Sequence, residues 1–137
     1  MIGILIVSHG AFGEALIHCA SHVLGERPAN VQQVGVNLHD DPDAMLAHAQ
    51  DMVRRLDDGD GVLVFSDILG ATPSNIASRL RRPGRIECVS GVSLPMLIRA
   101  ITYRNEPLAN VVGRAISAAH ECTVHIDCGT GDARSGD

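Results

Sequence analysis

Short apolar runs alternate along the chain with longer stretches in which apolar residues recur at helical spacing. The run from Ile2 to Val7 is continuous and rich in Ile and Val, which is typical of a strand buried on both faces. Residues 15–24 repeat apolar positions at helical spacing, and Gly25 follows where a helix would end. This pattern predicts a strand, a loop and a helix.

The same alternation continues to the end of the chain. Asp41-Pro42 and Thr72-Pro73 each have the form of an N-cap followed by proline at the first helical position. The remaining pattern predicts strands at 31–37, 61–66, 86–90 and 123–127, and helices at 42–56, 73–80, 94–103 and 108–119.

Strands that alternate with helices of this length predict an α/β fold. We expect a doubly wound, mostly parallel sheet of four strands plus a short C-terminal strand, with helices on both faces. One domain is predicted over residues 1–127. The remaining residues, 128–137, are Gly-rich and polar and are expected to form a flexible tail.

Composition narrows the classes of function. The chain of 137 residues carries 16 acidic and 11 basic residues, and its formal charge of -5 argues against a general nucleic-acid binder. With two Phe, one Tyr and no Trp, it lacks a stacking platform for bases or sugar rings. Every residue in the Lys+Arg count is Arg, which excludes a Schiff-base lysine and a P-loop lysine.

Targeting and redox signals are weak. The first basic residue is Arg27, and the longest apolar stretch is far shorter than the roughly 20 residues of a membrane span. We therefore expect a cytoplasmic protein that is not embedded in a membrane. The cysteines show no C-x-x-C spacing, which indicates small buried side chains rather than a disulfide scaffold; they are Cys19, Cys88, Cys122 and Cys128.

The candidate chemistry lies just after the strands, because doubly wound sheets bind ligands beyond the carboxyl ends of their strands. His9 follows the first strand, with Gly10 leaving room for close approach, and Asp67 follows the third. If these strands are neighbours, the carboxylate can accept a hydrogen bond from Nδ1 and leave Nε2 as a nucleophile. The stretch Gly70-Ala71-Thr72 leads into a helix whose N-terminus favours an anion. Together these features suggest phosphoryl transfer through a phosphohistidine.

Simpler interpretations stand beside this one. His9 could cap a helix, Asp67 could be a charge placed for a helix dipole, and Thr72 is an N-cap before it is anything else. The segment 39–41, His-Asp-Asp, resembles half of a metal site, but a solvated loop with a helix cap is favoured.

Two other groups of residues also have both a functional and a structural interpretation. A zinc site is disfavoured because strand alternation puts the candidate ligands on opposite faces; they are His120, Cys122, His125 and Cys128. The only basic cluster lies near a helix C-terminus and is either a solvated helix end or a docking patch for an acidic protein surface; it comprises Arg79, Arg81, Arg82 and Arg85.

Several segments of the sequence, in order and each at a strand end, form a recognisable set. They are Ile2 to Gly10, Gly13 to Leu16, Val62 to Asp67, Gly70 to Asn75 and Gly91 to Leu97. Together they resemble the IIA component of the mannose-family phosphotransferase system (PTS), and the resemblance covers residues 1 to about 127.

The resemblance implies a phosphocarrier that accepts a phosphoryl group from the carrier HPr and passes it to a IIB protein or domain. His9 would be the phosphorylated residue and Asp67 its partner. It also implies a homodimer, and we expect no metal or organic cofactor. The residues expected to bind the phosphate are Gly10, Gly70, Ala71, Thr72 and Ser93.

Some alternatives stay open. Members that serve sugar uptake often continue into a IIB domain, whereas this sequence ends at Asp137, so a stand-alone regulatory role is possible and the sugar cannot be read. A related branch phosphorylates dihydroxyacetone kinase, but residues 72–75 look more like the mannose branch. The competing classes are a binding protein for a small molecule or metallotetrapyrrole that uses His9, and a purely structural or signalling module.

Overall fold

Four strands and five helices alternate within residues 1–127, the part of the chain that the computed structural model describes. Their bounds are β1 Gly3–His9, α1 Phe12–Leu24, β2 Val31–Val36, α2 Pro42–Leu56, β3 Val62–Ser66, α3 Thr72–Leu80, β4 Ile86–Ser90, α4 Leu94–Thr102 and α5 Leu108–Glu121. The expected flexible tail at 128–137 lies outside the described residues.

All four strands are parallel and lie in the order β2-β1-β3-β4. The strand order therefore reverses between β1 and β3, which is where doubly wound sheets bind their ligands. Val7 of β1 pairs with Ser66 of β3, so these two strands end side by side. The chain that leaves β1 and the chain that leaves β3 consequently meet at one edge of the sheet.

Helices cover both faces of the sheet, as predicted. Because side chains alternate along a strand, Ile4 and Phe65 pack on the face covered by α1, α4 and α5, whereas Leu5 and Val64 pack on the face covered by α2 and α3. All four side chains are fully buried. The two central strands are thus held by apolar contacts on both sides, and their carboxyl ends form a rigid support.

Two element boundaries differ from the prediction in ways that affect the site. β1 continues to His9 instead of ending at Val7, because Ser8 and His9 pair with Gly35 and Val36 of β2. His9 is therefore held by a strand ladder rather than by a loop. Helix α1 begins at Phe12, so only a two-residue connection separates His9 from the helix.

The predicted strand at 123–127 is wrong within the described chain. Helix α5 continues to Glu121, and the Thr123 hydroxyl donates a hydrogen bond to the Ala119 carbonyl, as at the end of a helix. The residues that follow pair with no strand among the described residues, and the side chains of Val124 and Ile126 are exposed. A strand needs a neighbour for its backbone groups, and this segment lacks one here.

No helix formed by residues 1–127 combines the length and the apolar character that crossing a membrane requires.

Candidate functional site

His9 and Asp67 are in direct contact at the carboxyl edge of the sheet. Nδ1 of His9 lies 2.8 Å from Oδ2 of Asp67, and the His9 backbone amide donates to the same oxygen at 3.0 Å. The other carboxylate oxygen, Oδ1, accepts the Ile68 amide at 3.0 Å. The carboxylate is thus fixed by hydrogen bonds on both oxygens, and it fixes the orientation of the imidazole in turn.

The electrostatics of the pair favour an ionised carboxylate. Burial of the Asp67 side chain, which is 14% exposed, raises the pKa of that group, but the hydrogen bonds from the His9 backbone and ring and the charge of the ring outweigh it. The pKa of Asp67 is consequently below its ordinary value. An ionised carboxylate accepts a hydrogen bond from an N–H group at Nδ1, and in the neutral ring this leaves Nε2 as the nitrogen with a free electron pair.

His9 lies in an open cleft of about 390 Å³ between the starts of α2 and α3. Among residues 1–127, no arginine lines the cleft, and His9 is its one basic side chain. The carboxylate of Asp40 accepts a hydrogen bond from the Asn37 backbone amide at 2.8 Å. The cleft is lined by His9, Gly10, Val36, Asn37, Leu38, Asp40, Pro42, Thr72 and Pro73.

Thr72 is placed at the mouth of α3, although not as the predicted N-cap. The cap position belongs to Ala71, whose side chain makes no capping hydrogen bond, and Thr72 is the first helical residue. Within residues 1–127 the Thr72 hydroxyl has no hydrogen-bond partner. The first amides of a helix also lack partners within the helix. This corner of the cleft can therefore offer a hydroxyl and amides to an anion.

The other predicted phosphate ligands are less well placed. Gly10 lines the cleft with His9, but Gly70, Ala71 and Ser93 do not. The Gly70 amide donates to Ser74 Oγ at 3.0 Å. Ser93 caps α4, where its Oγ accepts the Met96 amide at 3.4 Å, and α4 packs on the face of the sheet opposite α3. The structure thus brings Gly10 and Thr72 to His9 and leaves these three outside the lining.

Gly35 is a site-shaping residue that the sequence-based reasoning missed. It pairs with Ser8 in the sheet, and a Cβ atom at Gly35 would lie 2.2 Å from the Gly10 carbonyl oxygen. The Gly10 amide also donates to the Val36 carbonyl at 2.9 Å, and Gly10 has a φ of +50°. The turn after His9 therefore rests directly on the backbone of β2. A glycine inside a predicted strand was the available signal for this close approach.

We expect the substitution Gly35→Ala to destabilise the fold by about 1–3 kcal/mol, because the new methyl group forces the Gly10 backbone away from β2. Denaturant unfolding measures the change in the free energy of unfolding. Gly113→Ala in α5 is the control, since a Cβ there meets nothing within 4 Å. Alanine should be neutral there or stabilise by up to about 1 kcal/mol. Equal stability of the two variants would contradict the close contact between Gly35 and Gly10.

The remaining candidates have structural roles or lie partly outside the described chain. Asp41 caps α2, with Oδ1 accepting the Asp43 amide at 3.4 Å, as the loop-and-cap interpretation predicted. Among residues 1–127, no group of three or more His, Cys, Asp or Glu side chains is placed to hold a metal ion. Cys128, the fourth of the residues weighed as zinc ligands, lies beyond those residues.

Fold and site together define a doubly wound α/β protein with a histidine–carboxylate pair at the switch point of its sheet. The chain belongs to the family described as the PTS system fructose IIA component, whose sequence model matches residues 3–116. This match confirms the resemblance found in the sequence.

Individual relatives agree with the family assignment. The solved EIIA component from Streptococcus agalactiae is 28% identical, with a TM-score of 0.81 over 91% of this chain and 97% of its own. The mannose/sorbose-specific IIA subunit from Enterococcus faecalis, 21% identical, has the same fold, with a TM-score of 0.81 over 92% of this chain and 95% of its own.

A curated relative matches over a shorter segment. YadI of Escherichia coli (strain K12), named as a candidate phosphotransferase enzyme IIA component, is 38% identical over 55 residues, which is 39% of this chain. The match spans 38% of the length of YadI.

Proposed function

We propose that this chain is a phosphocarrier that accepts a phosphoryl group on His9 from HPr and passes it to a IIB protein or domain. The observation that carries the proposal is the 2.8 Å contact between His9 Nδ1 and Asp67 Oδ2 at the switch point of the sheet. Family membership supports the general kind of chemistry. A stand-alone regulatory IIA protein would carry the same phosphoryl group on His9.

The transfer is a nucleophilic displacement at phosphorus. The electron pair of His9 Nε2 forms the new N–P bond, the bond between phosphorus and the HPr nitrogen breaks, and its electron pair stays on HPr. The His9 ring keeps its proton on Nδ1 and becomes positively charged. The carboxylate of Asp67 stabilises that charge because it already accepts the Nδ1 proton as a hydrogen bond. In the transfer to IIB, a nucleophile of IIB forms the new bond to phosphorus, the N–P bond at His9 Nε2 breaks, and its electron pair returns to His9.

The surroundings of His9 favour protein partners. Leu38, in the cleft lining, is 91% exposed, and Leu69, which follows the Asp67 turn, is 81% exposed. Exposed apolar side chains around a reactive group are typical of a docking surface. Because no basic side chain other than His9 lines the cleft, a cationic partner surface would have to balance the charge of the phosphoryl group. We infer that donor and acceptor proteins cover this edge of the sheet in turn.

Phosphate incorporation tests the proposal. The chain is incubated with labelled phosphoenolpyruvate, enzyme I and HPr, and we expect about one acid-labile, alkali-stable phosphate per chain, the behaviour of a phosphoramidate. Omitting HPr should remove the label. If no label enters this chain while an authentic IIA component is labelled in the same mixture, the proposed function is wrong.

We also propose that residues 1–127 act as one domain in a cytoplasmic homodimer. Family resemblance supports the dimer, and so do the exposed apolar side chains of Val124 and Ile126, which a second subunit would cover. Sedimentation at micromolar concentration should give twice the chain mass of 14.5 kDa. A single species at 14.5 kDa would overturn this part of the proposal.

A further inference from the structure

A second cleft lies at the edge of the sheet opposite His9. It has a volume of about 350 Å³ and is formed where α2 and α3 end and β4 begins. Since the strands are parallel, at least the length of β3, about 17 Å, separates the two edges. Five of its ten lining residues are arginines; the lining comprises Gln50, Val53, Arg54, Asp57, Arg79, Leu80, Arg81, Arg82, Arg85 and Ile86.

Two of the arginines are anchored by carboxylates. Arg85 donates to Asp57 at 3.1 Å and to the Gly59 carbonyl at 2.8 Å, and Arg81 donates through Nε to Glu87 at 2.8 Å. These hydrogen bonds hold the guanidinium groups of Arg81 and Arg85 in place along one side of the cleft.

The other three arginines are weakly paired or unpaired. Arg54 and Arg79 lie 3.4 and 3.7 Å from the nearest carboxylates, Asp51 and Asp43. Arg82 has no ion-pair partner within residues 1–127. The lining carries five positive groups and a single acid, Asp57, although the whole chain has a formal charge of -5. This local excess of guanidinium groups is suited to an anion.

A closed backbone turn presents Arg82 to the cleft. The Arg82 amide donates to the Ile86 carbonyl at 3.0 Å, and the Ile86 amide donates back to the Arg82 carbonyl at 2.8 Å. Gly84 has a φ of +79°, and its amide donates to Glu87 at 3.0 Å. Helix dipoles account for arginines in the last turns of α2 and α3, but Arg82 and Arg85 lie beyond both helices. The turn, and not a helix dipole, places these two arginines at the cleft.

We propose that this arginine cleft binds a small molecule that carries two or more phosphate groups. Guanidinium forks match phosphate oxygens in bidentate geometry, and a volume of about 350 Å³ falls in the range of small-ligand sites. The buried side chains of Val53, Leu80 and Ile86 supply an apolar floor. Five guanidinium groups line the cleft, so two linked phosphates can contact more of them than a single phosphate can.

Titration of the full chain with pyrophosphate, followed by backbone amide NMR at fixed ionic strength, tests the proposal. We expect saturable shifts in residues 79–86, no shift at His9 or Asp67, and an affinity about tenfold higher than for inorganic phosphate. The substitution Arg82→Gln should weaken pyrophosphate binding about fivefold, since it removes one exposed guanidinium. Thermal unfolding checks that the Arg82→Gln variant is folded. Arg79→Gln is a second variant in the cleft and should also weaken pyrophosphate binding.

The matched control is Arg55→Gln, which removes the same charge one position along α2, outside the cleft lining, where Arg55 pairs with Asp51 at 2.8 Å. It should leave the affinity within about twofold. Absence of saturation, or equal weakening by Arg55→Gln and Arg82→Gln, would overturn the proposal. So would tighter binding of a single-stranded oligonucleotide at the same residues. His9→Ala should bind pyrophosphate like the unaltered chain, so this result is independent of the phosphocarrier proposal.

Discussion

Replacing His9 with alanine is expected to abolish phosphoryl acceptance from HPr, with a loss of at least about a thousandfold in initial rate. His9 is the histidine whose ring contacts a carboxylate within residues 1–127, and its place in the β1 ladder aims it at the cleft. No other lining side chain is an imidazole, an amine or a thiol. The rate of label transfer from phospho-HPr measures the effect.

The control for this experiment is His39→Ala. His39 belongs to the same edge of the sheet, between Leu38 and Asp40, but it does not line the cleft. Its removal should leave the rate within about threefold of the unaltered chain. If His9→Ala is labelled at the original rate, the phosphoryl group is carried elsewhere and the assignment of His9 fails.

The substitution Asp67→Asn is expected to slow phosphoryl acceptance by about 100- to 10,000-fold while the fold survives. The amide fills the same space, but it is uncharged and cannot stabilise the positive ring that forms during transfer. Its NH₂ group can also face Nδ1 and favour the tautomer in which Nε2 carries the proton. Stopped-flow or quenched-flow measurement of single-turnover transfer separates this slow step from binding.

Asp40→Asn is the matched control, because Asp40 is the carboxylate that lines the cleft beside His9, and it contacts the Asn37 amide instead of the imidazole. We expect a change of less than about threefold. If Asp67→Asn and the unaltered chain have nearly the same rate, His9 is still the carrier, but Asp67 is then only a charge placed for a helix dipole. A comparable loss in both variants would point to the general charge of the cleft.

Local patterns predicted the type and the order of the elements around the site, although not the end of β1 or the start of α1. The apolar run of β3, which is buried at every position, is typical of a central strand. The contact between His9 and Asp67 was predictable only on the condition that β1 and β3 are neighbours. Strand order depends on contacts between distant segments, and the register that places Val7 beside Ser66 is not encoded in a local pattern.

Other features of the structure could not be predicted from local sequence patterns. Val124 and Ile126 alternate with polar residues as a strand would, but a strand also needs a partner, and residues 1–127 provide none. Ser93 follows β4 at a greater distance along the chain than Asp67 follows β3, and its hydroxyl caps α4 on the other face of the sheet. Gly35 matters through one backbone atom of Gly10, a contact visible only when β2 is placed beside β1.

The most direct test of the account is to identify the phosphorylated atom. The chain is labelled with ¹⁵N-histidine, phosphorylated through enzyme I and HPr, and examined by NMR correlations that distinguish the two ring nitrogens. Because Asp67 holds Nδ1, the account predicts phosphate on Nε2 of His9 with a proton retained on Nδ1. Phosphate on Nδ1 of His9, or on any other residue, would contradict it.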